Sequence, residues 1–79
     1  MYYVYILRSI HFDQTYTGFT KDLKTRFIDH NAGRSVHTSK FRPWRLVTYC
    51  AFEDEQRARA YEKYLKTGSG IAFSRRHYL

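Results

Sequence analysis

A chain of 79 residues has room for one domain around one modest core. Its single cysteine, Cys50, excludes an intrachain disulfide and any multi-cysteine zinc site, and no apolar stretch approaches the roughly 18 residues of a membrane span. Lys and Arg outnumber Asp and Glu by 14 to 7, a formal net charge of +7, which points toward a polyanionic partner.

Residues 2–8, Tyr-Tyr-Val-Tyr-Ile-Leu-Arg, are rich in β-formers and predict a first strand. Tyr3, Tyr5 and Leu7 fall on one of its faces, Val4 and Ile6 on the other. Asp13-Gln14 suits a turn, and a second strand from about Thr15 to Phe19 makes an antiparallel hairpin. Thr20 is placed to cap a helix over 21–31, with Asp22 in its first turn and Leu23 and Phe27 as its buried stripe. Asn31 and Gly33 supply the stop signal. Gly33 to Pro43, carrying Arg34, His37, Lys40 and Arg42, reads as an exposed basic loop.

Trp44 to Phe52 is a nearly continuous apolar run, the pattern of a central strand covered on both faces, with Cys50 as a small buried hydrophobe. A helix over 54–66 follows, its stripe formed by Ala58, Tyr61 and Leu65, and Gly68-Ser69-Gly70 is read as its break. Ile71 to Leu79 predicts a last short helix. The order β-β-α-β-α-α predicts a small α/β domain over 1–79, a three-stranded antiparallel sheet flanked by helices.

Aromatic residues make up 19% of the chain, so large rings must supply much of the buried area and several tyrosine hydroxyls stay near water or a partner. The start lacks a basic segment followed by an apolar one, so the chain reads as cytoplasmic and free of membrane. A basic protein with no nucleic-acid role is the plain alternative to the polyanion reading.

Five residues carry candidate chemistry. Tyr5 and Tyr16 lie on adjacent strands of the hairpin and can point at one spot. A phenol beside a cation or a metal-bound water can relay a proton, whereas cross-strand aromatic packing would serve the fold alone. Arg26 and His30, four apart, share a helix face on the flank of the Leu23–Phe27 stripe. Arginine can fork a phosphate and histidine titrates near neutral pH; a solvated arginine and a histidine at a helix C-terminus are the bland counterparts. Glu62 borders the buried stripe of its helix among Arg57, Arg59, Lys63 and Lys66. It suits Mg2+ held through one carboxylate, with waters and phosphate completing the octahedron, or simply an i,i+4 salt bridge with Lys66.

Other signals are weak. Gly68-Ser69-Gly70 lacks the lysine and spacing of a phosphate loop, and Ser9, Ser35 and Ser69 have no nucleophile elbow. The four histidines lack the close pairing of a zinc motif. Trp44 can stack on a base, though burial at a strand start explains it as well.

Taken in order, Tyr3-Val4-Tyr5, Tyr16-Thr17-Gly18, Arg26, His30 and Glu62 resemble the motif set of the GIY-YIG nuclease superfamily, in particular its small standalone bacterial members. His30-Asn31-Ala32-Gly33 and Pro43-Trp44-Arg45-Leu46-Val47 resemble that subgroup too, so the likeness covers nearly the whole chain. Tyr3 stands where the first motif has glycine, and Thr17 where the second has isoleucine. Ser69 is the nearest match to a polar residue that often follows the glutamate helix.

The resemblance implies a metal-dependent DNA endonuclease that hydrolyses a phosphodiester. Glu62 would hold one Mg2+ or Mn2+, Arg26 would bind the scissile phosphate, and Tyr5, aided by His30 or Tyr16, would orient or deprotonate the attacking water. It further implies DNA repair or processing near the bacterial nucleoid, on branched, nicked or single-stranded DNA. The relatives' separate DNA-binding domain has no counterpart here, so selectivity would come from the chain's own basic surface or from a partner protein. Two other readings stay open: a nucleic-acid-binding module with the same fold and little or no hydrolysis, and a protein-interaction module using the aromatic surface.

Overall fold

The computed structural model describes residues 1–79. The aromatic and β-branched run at the start forms β1 (Tyr2–Ser9), which pairs antiparallel on one side with β2 (Thr15–Thr20) and on the other with β3 (Trp44–Phe52). The sheet order is therefore β2-β1-β3, with β1 in the middle. Helices α1 (Leu23–Ala32), α2 (Glu55–Leu65) and α3 (Gly68–His77) cover it, and a short 3-10 turn spans Ser39–Phe41.

Alternation along β1 builds two cores. Val4 and Ile6 pack with Ala58 and Leu65 of α2, while Tyr5 and Leu7 pack with Trp44 and with Leu23 and Phe27 of α1. Each fully buried aliphatic side chain here contributes about 1.5–3 kcal/mol, so the middle of β1 anchors both faces. The expectation of a central β3 is corrected: Arg45, Tyr49 and Ala51 are exposed, as on an edge strand. β3 pairs with Thr48 opposite Ile6 and Leu46 opposite Leu7, which leaves Val47 as an extra residue in a bulge. That kind of irregularity twists a strand and blunts an edge.

Local signals set the helix ends. Asp22, not Thr20, caps α1, accepting from the Thr25 backbone N–H at 3.2 Å, while Thr20 accepts from the Asp22 N–H in the preceding turn. Those bonds from Thr25, backbone first and hydroxyl second, hold the Asp22 carboxyl below the usual range. Gly33 ends α1 with φ at 79°, the left-handed conformation that favours glycine. Asp54 caps α2. The Gly68-Ser69-Gly70 segment is not a break but the first turn of α3, capped by Thr67, whose hydroxyl accepts from the Gly70 N–H at 3.1 Å. A side chain at Gly70 would run into the backbone of Tyr64 and Leu65, so its absence is what lets α3 fold back closely on α2.

The 33–43 segment is less exposed than its polarity suggests. Ser35 and Thr38 are buried, and the Trp44 indole N–H donates to the Thr38 carbonyl at 2.9 Å. Asn31 brackets the Trp44 backbone, accepting from its N–H and donating to its carbonyl. Trp44 is thus a buried strand start. No helix is long and apolar enough to cross a membrane.

Candidate active site

Tyr5 enters the site because Gly18 faces it across the hairpin. Its ring lies over that glycine so closely that a methyl group at Gly18 would run into the hydroxyl. The hydroxyl meets His30 Nε2 at 2.7 Å, and His30 Nδ1 meets the Thr38 hydroxyl at 2.7 Å. Tyr5 is 1% exposed and His30 and Thr38 are fully buried. Tyr16 sits opposite Leu7, diagonal to Tyr5 rather than paired with it. Its ring centroid lies 6.2 Å from that of Tyr5 and 4.9 Å from that of His30, and, half-buried, it covers their outer side.

Arg26, one turn before His30 on α1, is half-buried beside the Tyr5 hydroxyl, and no carboxylate pairs with its guanidinium. Glu62 lies on α2, which packs on the other face of the sheet. Its Oε2 accepts from Lys66 Nζ at 3.0 Å, the salt bridge that its spacing predicts.

The environment separates the two titratable groups. Burial first, then the neighbouring Tyr16 phenol, pushes Tyr5 up to about 12, against the opposing pull of Arg26; Glu62 adds a smaller upward push. Burial, then the Arg26 charge, pushes His30 down to about 4, against Asp29. Near pH 7 both are neutral: a phenol with one proton to donate, and an imidazole with one lone pair to receive it.

Fit to a metal can be judged from the donor set. The structure has no group of three His, Cys, Asp or Glu side chains able to hold an ion, which excludes an all-protein cage. One carboxylate with an unshared Oε1 fits Mg2+ or Mn2+, hard ions that keep several waters and take phosphate oxygens as further ligands.

Two contributors escaped the sequence reading. Thr38 belongs to a polar loop where nothing in the spacing marks it, and only the fold brings it to His30. Gly18 had a signal, since a glycine inside a strand often marks close approach of another group.

The model of the GIY-YIG catalytic domain family matches residues 1–71, and the chain belongs to that family. Among curated proteins it is similar to UPF0213 proteins of Streptococcus pyogenes serotypes M3, M1 and M4. In each case 38% of 66 aligned residues are identical, covering 81% of this chain and 70% of the relative. No solved structure matches the chain significantly. Membership places the chain in a nuclease superfamily with a nucleic acid as the substrate class that it suggests.

Proposed function

We propose that the protein is a divalent-metal-dependent DNA endonuclease. The observation that supports this most is the unpaired guanidinium of Arg26 beside the hydroxyl of the buried Tyr5, itself bonded to His30. Packing alone has no need of an unpaired guanidinium there.

Arg26 binds the scissile phosphate as a fork and stabilises the charge that develops as water adds to phosphorus. Tyr5 stays protonated and donates to His30 Nε2, which leaves an oxygen lone pair to accept a hydrogen bond from the attacking water. As the water oxygen bonds to phosphorus, its proton passes to the Tyr5 oxygen and the phenolic proton to His30. Burial, and after it the Arg26 charge, depresses the basicity of His30 in the free protein; a phosphate that neutralises Arg26 removes the second of these and makes His30 a better proton acceptor. Thr38 fixes the ring by accepting from Nδ1–H, and Tyr16 keeps bulk water off the relay. Glu62 would hold one Mg2+ or Mn2+, which supplies charge stabilisation at the phosphate and at the departing oxygen. The Glu62–Lys66 pair does not oppose this, since an exposed i,i+4 pair is worth only about 0.3–0.5 kcal/mol and yields to a divalent ion.

The test is a nicking assay on single-stranded, nicked and branched DNA with Mg2+ or Mn2+. Arg26→Ala and Glu62→Ala should each lower the rate by about 10^2–10^3-fold, the scale of losing one transition-state contact. Cleavage that survives both substitutions overturns the assignment. Tight binding with no turnover under either metal would instead support a binding module that keeps the fold.

A further inference from the structure

The turn end of the sheet carries charges that the site above does not use. Arg8, near the end of β1, lies directly opposite Arg45 on β3. Arg75, from the last turn of α3, joins them in lining a polar cleft of about 530 Å³. Like charges directly opposite across a sheet repel, so the fold alone gives no reason for this pair. Asp13 is the one acidic side chain in the cleft; it pairs with Arg8 at 2.7 Å and is itself almost wholly exposed. Arg45 and Arg75 are exposed and have no acidic partner. The helix dipole accounts for a cation in the last turn of α3 but not for Arg45 facing Arg8. Three guanidinium groups against the Asp13 carboxylate and the terminal residue Leu79 leave the cleft net positive, and their flat forks suit a phosphodiester.

This cleft continues toward the catalytic cluster. It shares Thr15, Arg75 and Leu79 with a neighbouring cleft that runs past Tyr16 and Thr17 to Lys66, the residue bonded to Glu62. In register, Tyr5 faces Gly18 and Arg8 faces Thr15, three residues further along. An odd step along a strand puts Arg8 on the α2 face with Val4 and Ile6, so the path from this cleft to Tyr5 runs past Tyr16 on β2. We propose that Arg8, Arg45 and Arg75 hold a backbone phosphate of the substrate strand away from the scissile one. That contact sets the register of the strand at Arg26 and Glu62 without reading its sequence. The inference rests on the nuclease reading of the Tyr5 cluster.

The experiment measures binding without cleavage: fluorescence anisotropy of a short labelled single-stranded DNA in EDTA, across a NaCl series. Wild type is compared with Arg45→Ala/Arg75→Ala and with Lys21→Ala/Lys24→Ala, an equal loss of charge at the opposite end of the hairpin, where Thr20 faces Tyr3. The arginine variant should flatten the plot of log affinity against log salt by about 0.7, the share of one neutralised phosphate on a single strand. The lysine variant should keep the wild-type slope. Equal flattening by both pairs, or a wild-type slope in the arginine variant, overturns the site while leaving the nuclease reading in place. Absence of wild-type binding at low salt overturns both.

Discussion

At the scale of the residue, His30 ties the candidate chemistry to stability. Its folded value of about 4 lies below the ordinary 6.5, so between those values the unfolded chain binds more protons than the native one. The sign follows: this contribution is complete above about pH 6.5 and is lost as pH falls toward 4. At about 1.4 kcal/mol per pH unit, the loss reaches roughly 2–3 kcal/mol near pH 4. Urea midpoints of the wild type should therefore drop between pH 7 and pH 4.5. His30→Gln should reduce that drop, because an amide keeps polar contacts but does not titrate. Identical pH dependence in the two proteins would mean that the buried imidazole is not the titrating group. Carboxylates such as Asp22, also held low, lose their contribution at more acidic pH, so the upper part of the window belongs to His30.

At the scale of the element, α3 shows how one residue type takes opposite roles two positions apart. Gly68 opens the helix with nothing near the place a side chain would occupy, whereas at Gly70 the same addition meets the backbone of α2. Gly68→Ala should stabilise by about 0.4–1 kcal/mol, because alanine restricts the unfolded chain without strain. Gly70→Ala should destabilise by about 1–3 kcal/mol, the usual range for overpacking. Thermal unfolding of the two variants distinguishes them, and shifts of the same sign would contradict the close crossing of α2 and α3. The reason that sequence reading misplaced this turn is physical: Gly-Ser-Gly has low helix propensity, and only tertiary packing with the Thr67 cap makes it helical. The apolar run of β3 likewise suggests a central strand, but neighbours in the sheet are chosen by pairing, and β1 alone had both edges available. By contrast, the two-face alternation of β1, the stripes of α1 and α2 and the stop at Gly33 were legible because they are local. Arg26, His30 and Glu62 could be picked out by spacing; that Thr38 completes the hydrogen-bonded chain from Tyr5 through His30 could not.

At the scale of the whole molecule, charge dominates. Five ion pairs engage Asp13, Asp29, Asp54, Glu55 and Glu62, so most of the seven acidic side chains are already spent. The surplus of +7 is confined to a body with a radius of gyration of 12.1 Å. At about 0.01 M salt the Debye length is about 30 Å, matching the molecule's longest extent of 30 Å, and every positive charge repels every other; at about 0.15 M it is about 8 Å and only neighbours do. Exposed pairs return about 0.2–1 kcal/mol each and are screened by the same salt. Repulsion among the unpaired cations should outweigh them, so the melting temperature should rise between those two salt concentrations. A gain of 1 kcal/mol would appear as about 4–8 °C in a domain of this size. A falling melting temperature would show that the ion pairs dominate instead. A short DNA strand bound to the native state should replace the salt, raising the melting temperature most where salt is lowest, because the phosphates then neutralise the charges that the fold leaves unpaired.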